Sequence, residues 1–157
     1  MNYPKLVVFD LDFTLWDCGG LWIDCTTPPF HLDIEGRVRD RSGRVFRLYP
    51  DAGEILDELE SNGVELGLAS RTDQPDWAGE VLELMELRNR FDYEQIYPGS
   101  KVAHFEAIRA DSGIDFADMV FFDDEHRNII EVGELGVNCI HVSRGVDRHA
   151  FQQAISE

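Results

Sequence analysis

The chain has 157 residues, of which 43% are hydrophobic, enough to bury the core of one domain spanning residues 1–157. Its 31 acidic residues outnumber 14 basic ones, and the formal net charge of −17 argues against a nucleic-acid partner. The sequence contains neither an apolar run long enough to cross a bilayer nor an N-terminal secretory signal, so we expect a cytoplasmic protein with no membrane partner. We also expect a monomer.

The first third of the chain predicts one strand, one hairpin and one helix. Residues 5–12 are KLVVFDLD, and an apolar run without alternation predicts a strand buried in a parallel sheet. Residues 17–49 are predicted to leave the sheet as an insertion, a loop followed by a hairpin around a turn at 41–43. Asp51 is the predicted N-cap of a helix that ends at Asn62.

Strands and helices alternate along the rest of the chain. The further predicted strands are 64–70, 93–99, 118–125 and 136–143, and the further predicted helices are 76–90, 101–112, 128–135 and 147–156. This alternation predicts a three-layer, Rossmann-like α/β fold, with a mostly parallel sheet and helices on both faces. The hairpin is a small insertion after the first strand, and the chain has no room for a large cap domain.

The first predicted strand ends on two carboxylates one residue apart. Asp10 and Asp12 follow the apolar run, and Thr14 comes two residues later. Like charges at this spacing repel, and a buried carboxylate without a partner is costly. Residues two apart on an extended segment point the same way, so both carboxylates are expected to face one site that holds a compensating cation.

The other strand ends supply further polar side chains. Ser70 ends the second buried strand and Arg71 follows it, Lys101 opens a helix, and Asp123 and Asp124 end a third buried strand. Because open α/β sheets bind ligands at the carboxyl ends of their strands, we expect these side chains to converge on the first pair of aspartates.

This combination of residue types is typical of a magnesium and phosphoryl site. Mg²⁺ is commonly held by one or two carboxylates together with water and phosphate oxygens. A metal, an ammonium group and a hydroxyl donor would together stabilise a phosphoryl group, whose charge is spread over its equatorial oxygens. The sequence therefore predicts Mg²⁺ as the cofactor.

The same residues form a recognisable series of motifs. DLDFT, the serine that ends the second strand, Lys101 and DDE resemble, in order and type, the four motifs of the haloacid-dehalogenase-like (HAD) phosphohydrolases. Longer segments resemble the magnesium-dependent phosphatase subfamily over nearly the whole chain: KLVVFDLDFTLW, PPFH, VRDRSG, RLYP, ASRT, IYPGSK, HFE and FFDDEHRNI. The resemblance implies one HAD-like phosphatase domain over residues 1–157, with an insertion at roughly 17–49 and no large cap.

The resemblance also implies catalytic roles. Asp10 would attack phosphorus and form an aspartyl-phosphate, while Asp12 would protonate the leaving oxygen and then activate water. Mg²⁺ would be bound by the Asp10 carboxylate, the Asp12 backbone carbonyl and one aspartate of the last pair. We favour Asp124 as the direct ligand with Asp123 behind it, and the order of these two stays open.

A second set of residues is implied to bind the phosphate. Ser70 would donate to a phosphoryl oxygen with help from the Arg71 backbone, Lys101 would neutralise the phosphate, and Thr14 completes the set.

The absence of a cap implies an open site for a phosphorylated small molecule or a phosphoprotein, with a phosphotyrosine-like or sugar phosphate group. The chain departs from the family in the extra residues around DCGG and in Phe13, where tyrosine is common; both departures bear on substrate choice.

Three other functions use similar residues. A receiver domain is a phosphoacceptor with clustered aspartates, a hydroxyl and a lysine, but its accepting aspartate follows the third strand. A haloacid dehalogenase uses the same nucleophile to attack carbon. Asp12 and the acidic metal cluster argue against this function. The third is a binding protein without turnover, although every expected catalytic side chain is present.

The charge composition points to a salt-rich environment. Only Lys5 and Lys101 are lysines, and the other 12 basic residues are arginines. This composition resembles that of acidic, lysine-poor haloarchaeal proteins, which implies a halophilic archaeon as the source; an ordinary acidic protein is the alternative. Molar salt shortens the Debye length to about 3 Å, so it would screen the self-repulsion of such a surface.

Overall fold

Nine strands form two sheets within residues 2–155, the part of the chain that the computed structural model describes. In chain order the strands are β1 (Leu6–Phe9), β2 (Trp16–Asp17), β3 (His31–Leu32), β4 (Val38–Arg39), β5 (Val45–Leu48), β6 (Glu65–Ser70), β7 (Tyr93–Ile96), β8 (Met119–Asp123) and β9 (Asn138–His141). The α-helices are α1 (Ala52–Ser61), α2 (Pro75–Leu84), α3 (Lys101–Ser112), α4 (His126–Gly133) and α5 (Arg148–Gln152). None of these helices is long and apolar enough to span a bilayer.

The larger sheet has five parallel strands in the order β7-β6-β1-β8-β9. Strand β1 is central, and its Phe9 lies opposite Leu68 of β6 and Phe122 of β8. The chain passes from β1 to β6 and β7 on one side, and then returns to β8 and β9 on the other. This topology confirms the predicted α/β fold, and it brings the carboxyl ends of β1, β6 and β8 to one edge of the sheet.

Both faces of this sheet are covered by apolar side chains, which explains why its strands lack alternation. Val7 and Phe9 pack in a layer with buried residues of α1, α2 and α5, whereas Leu6 and Val8 pack in a second layer with buried residues of α3 and α4. The two layers confirm the predicted helices on both faces.

The smaller sheet is the predicted insertion. Its four antiparallel strands have the order β2-β5-β4-β3, and the predicted hairpin is formed by β4 and β5, with Val38 opposite Phe46. Asp40 fixes the turn between them, because its Oδ1 accepts hydrogen bonds from the backbone nitrogens of Ser42 at 3.0 Å and Arg44 at 2.9 Å. The insertion remains small, and no large cap is evident in the described residues.

Some predicted helix boundaries are wrong. Helix α2 ends at Leu84 and not at residue 90, because Glu86 adopts a left-handed backbone conformation with φ 58°. This turn directs Leu87 into the core, where it is 4% exposed, and Arg88–Arg90 forms a separate 3-10 turn. A periodic pattern cannot reveal a break of this kind when both halves contribute to the core.

Two further helices and one cap differ from the prediction. Helix α4 begins and ends two residues earlier than expected, and α5 ends at Gln152, while the predicted end at Ser156 lies outside the described residues.

Asp51 precedes α1 but does not cap it through its side chain. Its carboxylate instead accepts a hydrogen bond from the backbone nitrogen of Arg148 at 3.0 Å, because α5 packs beside it.

Candidate active site

The carboxyl ends of β1, β6 and β8 form the floor of a cleft of about 310 Å³. Asp10 directly follows β1, Ser70 is the last residue of β6, and Asp123 is the last residue of β8. Asp10, Ser70, Lys101 and Asp124 line the cleft, as do Asp12 and Arg71. The parallel topology therefore brings the predicted residues together from three strands and one helix.

Lys101 lies between two aspartates at the start of α3. Its Nζ donates to Asp10 Oδ1 at 2.9 Å and to Asp123 Oδ2 at 2.6 Å, and its side chain is 1% exposed. Burial lowers the pKa of Lys101, but the charges of the two carboxylates outweigh burial and raise it above its ordinary value. The side chain is therefore held as an ammonium between two strand ends.

Asp10 is buried at the base of the cleft. Its Oδ1 accepts from Lys101, and its Oδ2 accepts from the Thr14 hydroxyl at 3.3 Å. Thr14 is fully buried beneath Asp10 and does not line the cleft, so it is placed to orient Asp10 rather than to contact a substrate. Burial raises the pKa of Asp10 to about 7, although the Lys101 charge opposes this change. The carboxylates of Asp10, Asp123 and Asp124 outnumber the single ammonium group of Lys101 at this site.

The two aspartates after β8 occupy different positions. Asp123 is fully buried, with its Oδ1 accepting from the Glu125 backbone nitrogen at 2.8 Å and its Oδ2 accepting from Lys101 and from Asn128 Nδ2 at 3.0 Å. Asp124 lines the cleft, and its carbonyl accepts from His141 Nε2 at 2.8 Å. Burial raises the pKa of both carboxyl groups.

Three carboxylates in this cluster fit a divalent cation. Asp10, Asp123 and Asp124 each offer one oxygen, and these oxygens lie within 4.8 Å of one another. Carboxylate oxygens are the ligands that Mg²⁺ prefers, and a cation would offset the charge that a single lysine leaves uncompensated. The donor set therefore fits Mg²⁺.

Asp12 is held by the insertion rather than by the sheet. Its Oδ1 accepts from Trp16 Nε1 at 2.8 Å and lies 3.7 Å from Cys18 Sγ, while its Oδ2 accepts from the Ile23 backbone nitrogen at 3.0 Å. Burial raises the pKa of Asp12, and the hydrogen bonds from Trp16 and Ile23 oppose that rise. The raised pKa favours the protonated form of Asp12, which is the form that a general acid requires.

Ser70 and Arg71 are fixed by residues that the sequence reasoning did not single out. The Ser70 carbonyl accepts from His104 Nε2 at 2.9 Å, and its hydroxyl accepts from the Thr72 backbone nitrogen at 3.3 Å. Arg71 Nη1 donates to Asn128 Oδ1 at 3.1 Å. Asn128 therefore contacts both Asp123 and Arg71, and the sequence signal for it was its place in the FFDDEHRNI segment.

Aromatic residues near the cleft differ in exposure. Trp22 is 55% exposed and lines the cleft, so it is available to a substrate. Trp16 is fully buried and Phe30 is 5% exposed, and both belong to the core. The wall of the cleft that faces solvent is thus formed in part by the insertion.

Comparisons with known proteins agree with this geometry. The family described as Acid Phosphatase matches residues 2–157. "Magnesium-dependent phosphatase 1" of Homo sapiens is 48% identical over 153 residues, which cover 97% of this chain and 85% of the human protein. A HAD-like hydrolase superfamily protein of Schizosaccharomyces pombe is 44% identical over 149 residues, covering 87% of this chain and 84% of the yeast protein.

Solved structures share the fold at low sequence identity. A HAD-superfamily hydrolase from Ehrlichia chaffeensis superimposes with a TM-score of 0.71 at 18% identity, covering 99% of this chain and 100% of the other. An L-2-haloacid dehalogenase from Xanthobacter autotrophicus has a TM-score of 0.64 at 15% identity, covering 94% of this chain and 80% of the other. At such identities the likeness shows the fold alone, whereas the family match extends over nearly the entire sequence. The chain belongs to the acid phosphatase family and has the haloacid-dehalogenase-like fold.

Proposed function

We propose that this magnesium-dependent phosphatase hydrolyses phosphomonoesters through an aspartyl-phosphate formed on Asp10. The observation that carries the proposal is the position of the Asp10 carboxylate, which lies at the base of an open cleft with Lys101 on one oxygen and Thr14 on the other. These contacts fix the carboxylate and leave it adjacent to Asp124 and to the cleft.

Asp10 and Asp124 would hold Mg²⁺, with the Asp12 carbonyl as the expected third ligand and Asp123 fixing the arrangement from behind. Asp124 is favoured as the direct ligand because it lines the cleft, whereas Asp123 is fully buried and its Oδ2 accepts from both Lys101 and Asn128. When bound, Mg²⁺ would offset the negative charge of the carboxylates and of the phosphoryl group.

The first step transfers the phosphoryl group to the protein. An oxygen of Asp10 attacks phosphorus, the bond from Asp10 to phosphorus forms, and the bond from phosphorus to the leaving oxygen breaks. Asp12 donates its proton to that oxygen, so the product leaves as an alcohol or phenol. The raised pKa of Asp12 supports this role because it favours the protonated form at the start.

The second step returns the protein to its initial state. Asp12, now ionised, takes a proton from water, whose oxygen attacks phosphorus. The bond from Asp10 to phosphorus breaks, and inorganic phosphate leaves with Asp12 protonated again. Hydrogen bonds from Trp16 and Ile23 would position the Asp12 carboxyl group for both proton transfers.

Three residues are proposed to bind the phosphoryl oxygens. Ser70 lies at the end of β6 and lines the cleft, Arg71 follows it, and Lys101 contributes its charge from α3. An ammonium group and a hydroxyl donor placed where charge develops are a main source of rate enhancement in such reactions.

For the substrate we propose a phosphotyrosine-like or sugar phosphate group on a small molecule or a protein. No large cap covers the cleft in residues 2–155, so a bulky leaving group can extend into solvent. The exposed face of Trp22 supports an aromatic or sugar ring next to the phosphate, since both bind aromatic surfaces. We take residues 1–157 as one phosphatase domain, in which the insertion at about 17–49 supplies this wall.

The test is hydrolysis of p-nitrophenyl phosphate in molar KCl, with Mg²⁺ or with EDTA, by the native protein and by Asp10→Asn. We expect turnover that requires Mg²⁺ and that falls by at least ~10³-fold in the variant, because the nucleophile is removed. Asp115→Asn, which alters an exposed carboxylate outside the cleft, is the matched control. Turnover by Asp10→Asn at the native rate contradicts the proposal, and a stable phosphorylated protein without turnover favours a phosphoacceptor role.

A further inference from the structure

A short turn in the insertion connects the two loops that carry the proposed catalytic and phosphate-binding residues. The turn is a 3-10 helix at Ile23–Cys25. Its Ile23 backbone nitrogen donates to Asp12 Oδ2 at 3.0 Å, which fixes the loop after β1. The next residue, Asp24, lines the cleft and contacts the loop after β6.

Asp24 uses both carboxylate oxygens on that second loop. Its Oδ1 accepts from the Thr72 hydroxyl, and its Oδ2 accepts from the Asp73 backbone nitrogen at 2.9 Å. Thr72 is 7% exposed, so its hydroxyl has little access to water that could replace Asp24. A buried hydroxyl that loses its partner carries a desolvation cost, which makes this contact specific.

Thr72 in turn contacts the phosphate-binding serine. Its backbone nitrogen donates to Ser70 Oγ at 3.3 Å, and its own hydroxyl also accepts from the Gln74 backbone nitrogen at 3.1 Å. Two hydrogen bonds of Thr72 therefore connect Asp24 to the hydroxyl of Ser70, a residue that lines the cleft. Because Thr72 N–H occupies one lone pair of Ser70, the Ser70 proton is left free to point toward a phosphoryl oxygen.

We propose that Asp24 is a positioning residue, which orients the Ser70 hydroxyl through Thr72 and so couples the insertion to phosphate binding. The inference rests on the proposed function, in which Ser70 donates to the phosphoryl group. A carboxylate suits this role better than an amide. Its two oxygens accept from two donors at once, whereas asparagine would offer one acceptor and turn an N–H group toward the other donor.

The first experiment measures kcat and KM of Asp24→Asn with p-nitrophenyl phosphate and Mg²⁺. We expect kcat/KM to fall roughly tenfold, because Ser70 is less well oriented in the transition state. Asp17→Asn is the matched control, since Asp17 is in the same insertion but its carboxylate accepts from the Gly20 backbone nitrogen at 2.6 Å, away from Thr72. We expect Asp17→Asn to stay within about twofold of the native protein.

A double-mutant cycle with Ser70→Ala separates positioning from a structural role. If Asp24 acts through Ser70, Asp24→Asn lowers kcat/KM by less than about twofold when Ser70 is already alanine. The same tenfold loss in both backgrounds overturns the inference, because it shows that Asp24 acts independently, for example by touching the substrate itself. An unchanged kcat/KM in the single variant overturns it as well.

Thr72 provides the same test from the other side of the hydrogen bond. Thr72→Ser keeps the hydroxyl and should retain native kcat/KM within about threefold, whereas Thr72→Val should match Asp24→Asn and show the same coupling to Ser70. This pair decides the question if Asp24→Asn does not fold, and equal activity of the two Thr72 variants would overturn the inference. Failure of the proposed function can be distinguished from failure of this inference, because it appears as turnover that does not depend on Asp10.

Discussion

The Nζ of Lys101 lies 2.9 Å from Oδ1 of Asp10, and this contact joins the start of α3 to the end of β1 across 91 residues of sequence. The same nitrogen lies 2.6 Å from Oδ2 of Asp123, so one ammonium group contacts the carboxylates at the ends of two strands. The arrangement leaves more negative than positive charge at the site, and a bound Mg²⁺ would supply the missing positive charge. Fold, stability and chemistry are therefore linked at this point.

Lys101→Met tests how far the buried ammonium stabilises the metal-free protein. The substitution leaves Asp10 and Asp123 without their cation, and breaking a buried pair in this way costs about 3–5 kcal/mol. The free energy of unfolding, measured by urea titration in EDTA, should fall by that amount. Lys5→Met is the matched control, because the Lys5 side chain is 70% exposed and contacts Asp118 at 3.6 Å. If both variants are equally stable, Lys101 is not the cation that holds the cluster.

The stabilisation by Mg²⁺ should increase with pH. Burial raises the pKa of Asp10 to about 7 from an ordinary value of 3.8, so the folded metal-free protein binds this proton more tightly than the unfolded chain. The resulting stability is complete below the unfolded pKa and is lost as pH rises through the folded pKa, whereas Mg²⁺ favours the ionised form. Thermal unfolding should therefore show a larger Mg²⁺-induced rise in Tm near pH 8 than near pH 5. A rise independent of pH would contradict this, and Asp10→Asn should reduce the difference.

Trp16→Phe should impair Asp12 while keeping an aromatic ring in the core. The variant removes the indole N–H that donates to Asp12 Oδ1 at 2.8 Å, and a hydrogen bond to a carboxylate is worth about 1.5–3 kcal/mol. We expect kcat/KM for p-nitrophenyl phosphate to fall roughly tenfold or more. Trp77→Phe is the control, since Trp77 packs against Phe30 in the core. Equal activity of the two variants would show that the indole does not hold Asp12.

Salt should stabilise the fold. A net charge of −17 on 157 residues produces repulsion that added KCl screens. Tm, measured by thermal unfolding, should rise steadily from dilute buffer to molar KCl, even though the same salt weakens exposed ion pairs such as that of Arg109 with Asp115. A Tm that is unchanged or falls would argue for an ordinary acidic surface and against the predicted adaptation to a salt-rich cytosol.

The sheet and the convergence of the site residues could be predicted from the sequence for one physical reason. The strand segments are apolar on both faces, and parallel strands bring their carboxyl ends to one edge. Asp10 directly follows the central strand β1, and Ser70 and Asp123 end the two strands that flank it, β6 and β8. Position in a regular element was enough to place each of them.

Residues that act through tertiary contacts could not be predicted in this way. Asp24 and Thr72 are 48 positions apart, and no periodic pattern links a residue in an irregular insertion to a loop after a strand. Thr14 was expected at the phosphate, but it lies buried beneath Asp10, because a local turn directs its side chain inward. The left-handed turn at Glu86 likewise depends on packing and ended α2 earlier than periodicity predicted.

The most direct test of the central claim is to trap the phosphoryl group on Asp10. Asp12→Asn lacks the base for the second step, so mixing it with a radiolabelled aryl phosphate and Mg²⁺, followed by acid quench, should leave label on the protein. We predict that peptide mapping assigns the label to Asp10, that hydroxylamine releases it, and that it is absent from the protein that also carries Asp10→Asn. Label on another residue, or native turnover with no label trapped in Asp12→Asn, would contradict the account.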